Sequence, residues 1–164
     1  MKHPVDLVSL RWSSPLGPML LAATDLGLAG LWFEGQKHWP EPAALWRAQP
    51  DHAVLREAAS QLDAYFAGRL RRFDLPLDVQ GGTPFQARVW QALMEIERGA
   101  TLSYGALAER LGQPAAVRAV GAAVGRNPVS IVVPCHRVVG KGGSLTGYAG
   151  GLERKTALLR LEMT

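Results

Sequence analysis

The sequence predicts an α+β protein built as two small domains: a strand-rich first half, and a mostly helical second half with a helix-turn-helix. Three observations predict it. In the first half, apolar residues mostly alternate or run in short blocks, as strands require. From 83 onward they recur at helical spacing, between capping residues and terminating glycines. Between the two patterns, Gln80-Gly81-Gly82 has the composition of a linker, which places the domains at 1–79 and 80–164.

The elements follow in order. Val8, Leu10 and Trp12 alternate as on a strand with one buried face. The apolar runs 19–23 and 28–33, joined by Thr24-Asp25-Leu26-Gly27, read as a hairpin. The Pro- and Trp-rich stretch 36–50 reads as loop. Leu55, Ala59, Leu62 and Phe66 mark the buried stripe of a helix that Gly68 ends. Phe73, Leu75, Leu77 and Val79 alternate as a further strand. No catalytic constellation stands in this half, which reads as a support for the other.

Thr83-Pro84-Phe85-Gln86 is a helix start, with Thr as cap, Pro at the first position and Gln three residues after the cap. Phe85, Val89, Leu93 and Ile96 form the stripe of that helix. Ser103 caps a second helix, in which Leu107 and Leu111 lie one turn apart before Gly112 ends it. Pro114 opens a third, giving the outline of a helix-turn-helix, an outline shared with plain helical hairpins. In the third helix Val117, Val120 and Val124 can face the core, while Ala115, Arg118, Ala122 and Gly125 face away. A helix that reads bases in the major groove carries long polar side chains, and this one has almost none besides Arg118. Small residues suit close approach to the narrower minor groove, with little sequence preference. Arg118 is then either a wedge that enters the base stack or an ordinary surface charge.

Bulk properties narrow the function classes. The 164 residues are 48% hydrophobic and 20% charged, as expected of a soluble globule. No apolar run reaches the roughly 18 residues of a membrane span, and the N-terminus lacks the apolar core of a signal peptide. A single cysteine excludes an internal disulfide and any multi-cysteine metal site. These features point to a cytoplasmic protein. Residues 1–82 carry 8 basic and 9 acidic groups, net −1, whereas 83–164 carry 10 and 5, net +5. Such a basic half is either a surface for a polyanion such as nucleic acid or a merely solvated one.

The one cysteine lies in Ile131–Gly140, IVVPCHRVVG, between Pro134 and His136. A lone cysteine is most often a buried small hydrophobe. A nucleophilic one needs a base or positive electrostatics to supply its thiolate. On an extended segment Cys135 and His136 point to opposite faces, so a bridging water, with an acid elsewhere to orient the imidazole, is the arrangement expected. Asn127-Pro128 forms a turn that ties the preceding helix to this segment.

Pro134-Cys135-His136-Arg137-Val138 resembles the active-site signature of the O6-alkylguanine-DNA alkyltransferases, also called methylated-DNA–protein-cysteine methyltransferases. The likeness runs from 83 to 162, through the helix pair and GYAGGLERK, and extends more loosely to SSPLGPMLLAAT in the first half. It implies a ribonuclease H-like first domain and a winged-helix-like second domain. By resemblance, Cys135 matches the alkyl acceptor, and His136 the imidazole that deprotonates it through water. Glu162 matches the carboxylate that orients that imidazole, and Tyr104 the phenol that protonates or polarises the departing base. Arg118 matches the finger that replaces the flipped nucleotide. Ser103, Ala115, Gly121, Ala122 and Asn127 fall at the DNA-binding face, with Asn127 also the hinge before the reactive segment and part of the pocket. Val133, through its carbonyl, Tyr148, and Ala149, through its amide, line the base pocket. The first half lacks the cysteines of the zinc-binding extension found in some bacterial relatives, so no metal and no cofactor are expected.

The implied function is direct repair of alkylated DNA. A methyl or other alkyl group passes once and irreversibly from O6 of a flipped guanine to Cys135; O4 of thymine is a further candidate donor. The implied partner is duplex DNA bound through its minor groove by a monomer, with no membrane involved and cooperative assembly on DNA left open. A thiolate is the soft nucleophile the transfer needs, and a proton given by a phenol makes the base a better leaving group. Flipping costs a few kcal/mol, least for a weakened pair. The thioether product offers water no carbonyl to attack, and its added bulk in a packed pocket costs roughly 1–3 kcal/mol. The alternatives are a non-catalytic alkylated-DNA-binding protein, a Cys-His hydrolase and a helix-turn-helix regulator. The first conflicts with the cysteine, the second leaves the basic helix pair unused, and the third fits poorly with a small-residue face.

Overall fold

The computed structural model describes residues 7–164; the first six, part of the stretch read above for a targeting signal, lie outside the described residues. The chain divides into two compact units, one ending at Gly81 and the other running from Gly82 to Thr164. No helix among the described residues is long and apolar enough to cross a membrane.

The first unit is a four-stranded sheet of order β3-β2-β1-β4, formed by β1 (Val8–Ser14), β2 (Gly17–Ala23), β3 (Leu28–Phe33) and the two-residue β4 (Arg47–Ala48). The first three strands are antiparallel neighbours, and β4 runs parallel to β1. The expected turn closes with Thr24 N donating to Gly27 O at 3.0 Å. Helix α1 (Ala53–Phe66) covers one face, where Phe66 packs on Trp12 at 5.9 Å between ring centroids. On the other face Trp46, Leu7, Leu20, Ala22, Ala29 and Trp32 form a cluster. Strands β2 and β3 are therefore buried on both sides, which is why they read as continuous apolar runs.

That double cover qualifies the reading of β1 at one position. Val8, Leu10 and Trp12 are half-buried and alternate with exposed Arg11 and Ser13, as expected, but Ser9 on the opposite face is buried as well. The supposed loop 36–50 contains a 3-10 turn, Glu41–Leu45, as well as β4. The buried stripe of α1 is Leu55, Ala58, Leu62 and Tyr65; Ala59 and Phe66 flank it. Residues 73–79 do not form a strand but make one bridge, Leu28 with Leu77. Leu28 N donates to Pro76 O and accepts Asp78 N at its carbonyl, both at 2.8 Å, and Pro76 has no N–H to extend the ladder.

The second unit begins with α2 (Pro84–Leu93), held by the full capping box: Gln86 N donates to Thr83 Oγ1 and Thr83 N to Gln86 Oε1. The helix stops at Leu93, and Ile96 is buried from the turn that follows. Strand β5 (Leu102–Ser103) leads into α3 (Tyr104–Arg110), capped by Ala106 N donating to Ser103 Oγ at 3.0 Å. Gly112, at φ 72°, ends it: Gly112 N donates to Glu109 O and Gln113 N to Ala108 O, a Schellman arrangement. Pro114 does not open the next helix. It sits in a turn closed by Ala116 N donating to Gln113 O, and α4 starts at Val117 and runs to Gly125. Trp90 of α2 donates its indole N–H to Ala123 O at 2.8 Å, fixing α4. The buried side of α4 is Val120, Ala123 and Val124, whereas Val117 is 38% exposed. The apolar run before Cys135 is no strand either. Residues 131–133 turn, with Ile131 at φ 71°, a conformation a β-branched residue rarely adopts. A single 3-10 turn, Cys135–Arg137, leads into β6 (Val138–Val139), and α5 (Leu152–Glu162) closes the unit.

Candidate active site and nucleic-acid face

The site is assembled by a two-residue parallel ladder. Leu102 pairs with Val138 and Ser103 with Val139, so the start of α3, and with it Tyr104, lies beside the end of the cysteine turn. In that 3-10 turn successive side chains are rotated by about 120°, not by the 180° of a strand. Cys135 and His136 therefore do not point to opposite faces as the sequence suggested.

Cys135 is 6% exposed. Burial pushes its thiol above the ordinary range, while a hydrogen bond from Asn127 and the positive charge of Lys155 pull it down. His136 is fully buried and kept neutral chiefly by burial, against the pull of Glu162. Its Nε2 meets Glu162 Oε2 at 2.7 Å, and its Nδ1 has no protein hydrogen-bond partner. The structure thus joins His136 to the carboxylate expected to orient it.

Tyr104 is half-buried, with its hydroxyl donating at 3.3 Å to Thr146 O. Burial and the neighbouring Cys135 raise its phenol, and the same two causes raise that of Tyr148 well above the ordinary value, so both keep their protons. The Val133 carbonyl already accepts Asn127 Nδ2 and Cys135 N, both at 2.8 Å; holding a base there requires one of them to yield. Ala149 is half-buried next to Tyr148. A cavity of about 150 Å³ borders Glu162, lined by Gly99, Thr101, Val139, Leu145 and Leu159 rather than by Cys135.

Among the residues expected to meet nucleic acid and their neighbours on α4, Ala115, Arg118 and Ala122 are exposed, and Gly121 and Gly125 half-buried. Ala115 belongs to the turn rather than to the helix. The hydroxyl of Ser103 is engaged as the cap of α3. Asn127 is not on this face. At 4% exposure it lies in the hinge, where Oδ1 accepts Val129 N and Nδ2 donates to the Val133 carbonyl. Gly121 faces the Tyr104 ring, where a Cβ would meet its carbons at 3.8 Å.

Two buried charged residues at the site were given no role in the sequence reading. Lys155 is buried in α5 and donates to the carbonyls of Val138, Thr146 and Gly147 at 2.5, 3.0 and 3.1 Å. Its ammonium lies 5.9 Å from the Tyr104 ring centroid, and burial lowers its pKa. The missed signal is the buried stripe of α5 itself, Lys155, Leu158 and Glu162, in which two of three positions are charged. The other is Arg137, whose guanidinium grips Glu162. No group of three or more His, Cys, Asp or Glu that could hold a metal occurs among the described residues.

Residues 84–164 match the family model described as 6-O-methylguanine DNA methyltransferase, DNA binding domain, and 11–79 match its ribonuclease-like domain. A methylated-DNA–protein-cysteine methyltransferase of Mycobacterium leprae is 52% identical over 149 residues, 91% of this chain and 88% of that one. A protein of the same name from Methanosarcina acetivorans is 49% identical, over 92% and 95%. The crystal structure of Mycobacterium tuberculosis OGT in complex with DNA superposes with a TM-score of 0.88 at 48% identity, over 94% of this chain and 92% of that one.

Proposed function

The chain belongs to the O6-alkylguanine-DNA alkyltransferase family, and from that premise we propose that Cys135 is the acceptor of the transferred group. The protein binds DNA and repairs it as a methylated-DNA–protein-cysteine methyltransferase, moving an alkyl group from O6 of guanine to a cysteine of its own. The observation that carries the assignment is the setting of the only thiol in the chain. It is flanked by Lys155, Asn127 and two protonated phenols, and adjoins an imidazole held by a carboxylate.

The reaction follows from that setting. His136 Nδ1 takes the thiol proton, directly or through a water, and Lys155 favours the resulting thiolate. Sulfur attacks the alkyl carbon, forming the C–S bond as the C–O6 bond breaks. The electron pair stays with the base, which Tyr104 protonates, its raised pKa keeping that proton available until the transfer. Tyr148, the Ala149 amide and, after Asn127 yields, the Val133 carbonyl hold the base. The thioether has no route back, so each molecule acts once. DNA enters along the minor groove against Ala115, Arg118, Gly121 and Ala122, with Arg118 filling the place of the extruded nucleotide. A thiol that must stay reduced suits the cytoplasm.

The test is intact-protein mass spectrometry after mixing with duplex DNA that contains O6-methylguanine. One methyl on Cys135 per repaired base is expected. Turnover beyond one equivalent, or methyl on another residue, overturns the assignment. Cys135→Ser is expected to bind the lesion and gain no mass.

A further inference from the structure

We infer that Arg137 is a positioning residue for the alkyl transfer: its guanidinium clamps Glu162 so that His136 is held with hydrogen on Nε2 and a free lone pair on Nδ1. The inference rests on Cys135 being the acceptor. Arg137 Nε donates to Glu162 Oε1 at 2.8 Å and Nη2 to Oε2 at 3.0 Å, while Nη1 donates to the Ile96 carbonyl at 2.5 Å. The guanidinium is thus tied both to the carboxylate and to the chain that follows α2. All three side chains are buried.

The logic is one of donors and acceptors. A guanidinium only donates and keeps its charge at any relevant pH. Both oxygens of Glu162 face its N–H groups, so a carboxyl proton on either would meet a donor. Glu162 can then only accept from His136, and the hydrogen of the 2.7 Å contact must sit on Nε2. The neutral imidazole keeps its lone pair on Nδ1, the atom without a protein partner. The other groups around the imidazole are Lys155 from α5 and Cys135 beside it, with Tyr104 and Tyr148 around the thiol. Arg137 and Lys155 both oppose a proton on His136, against the pull of Glu162. Without Arg137 the buried carboxylate would lose the guanidinium that balances its charge, and a second imidazole proton would neutralise it. Both nitrogens would then carry hydrogen and no base would face the thiol.

The experiment is 15N NMR of the imidazoles in the full-length unalkylated protein without DNA, with the His136 signals assigned by their loss in His136→Gln. The expected result is a neutral Nε2–H tautomer at neutral pH. In Arg137→Met the imidazole is expected to protonate at least about one pH unit higher, a tenfold change in its proton affinity. The pH profile of Cys135 alkylation by free O6-alkylguanine is expected to move up with it, and Arg137→Lys, which keeps the charge and loses the fork, should fall between. An Nδ1–H tautomer in the unsubstituted protein overturns the inference, as does an unmoved titration and profile in a folded variant. Should Arg137→Met not fold, the unsubstituted protein and Arg137→Lys decide. The tautomer is read without any transfer, so failure of the cysteine assignment shows separately, in the mass of the protein after reaction with DNA.

Discussion

The thiol of Cys135 is pulled in two directions. Burial favours its neutral form, and Asn127 and Lys155 favour the thiolate. Removing the cation therefore leaves burial less opposed. In Lys155→Met the thiol pKa should rise, and the alkylation rate with free O6-alkylguanine should reach its half-maximum at higher pH. A thiol that ionises one pH unit higher should react about tenfold more slowly at neutral pH. A rate–pH profile that stays in place would separate Lys155 from the thiolate and leave it only its backbone contacts. The role proposed for Arg118 is on the duplex and not in the chemistry. Arg118→Ala should slow repair of duplex DNA by at least about tenfold, in line with the cost of leaving an extruded base's place unfilled, and leave reaction with the free base unchanged. Equal losses on both substrates would deny it that role.

At the scale of elements, short segments with strong local signals hold the turn that carries Cys135. The capping box fixes α2, which fixes α4 through the Trp90–Ala123 hydrogen bond, and α4 leads through the Asn127 hinge to the cysteine. Thr83→Ala removes the acceptor for Gln86 N and should cost about 1 kcal/mol, read as a lower denaturant midpoint. An unchanged midpoint would mean the cap contributes nothing. Legibility follows the locality of the signal. The caps at Thr83 and Ser103 and the glycine stop at Gly112 are readable because their partners lie within a few residues. The start of α4 is not, because Pro114 serves equally as a helix opener and as the second residue of a turn. Residues 131–133 mislead because β-branched residues suggest a strand, whereas tertiary packing holds Ile131 at positive φ.

For the whole molecule, charge and protonation set two further expectations. The excess of positive charge lies in residues 83–164, net +5. Binding to DNA of any sequence should therefore weaken about tenfold or more between 50 and 200 mM salt, and a salt-insensitive affinity would argue against phosphate contacts as its source. His136 has its pKa lowered by folding. As pH falls below the ordinary histidine value of 6.5, the unfolded chain takes up a proton that the folded chain refuses. Stability is thus lost on acidification through that window, by up to about 1.4 kcal/mol per pH unit for this one group. Urea midpoints at pH 7 and pH 5 should separate less in His136→Gln; equal separation would place the acid sensitivity elsewhere.

The sequence by itself determined the α+β class, the helix pair with its small-residue face, and the proline–cysteine–histidine segment. These are written in neighbouring residues, where period, capping and φ preference act without help. Tertiary structure alone decided which imidazole nitrogen meets Glu162, that Lys155 lies near the thiol of Cys135, and that Arg137 grips Glu162. Those relations join residues 20, 25 and 26 positions apart. Buried charges are stable only when packing brings their partners together, and no local pattern records which partners will arrive.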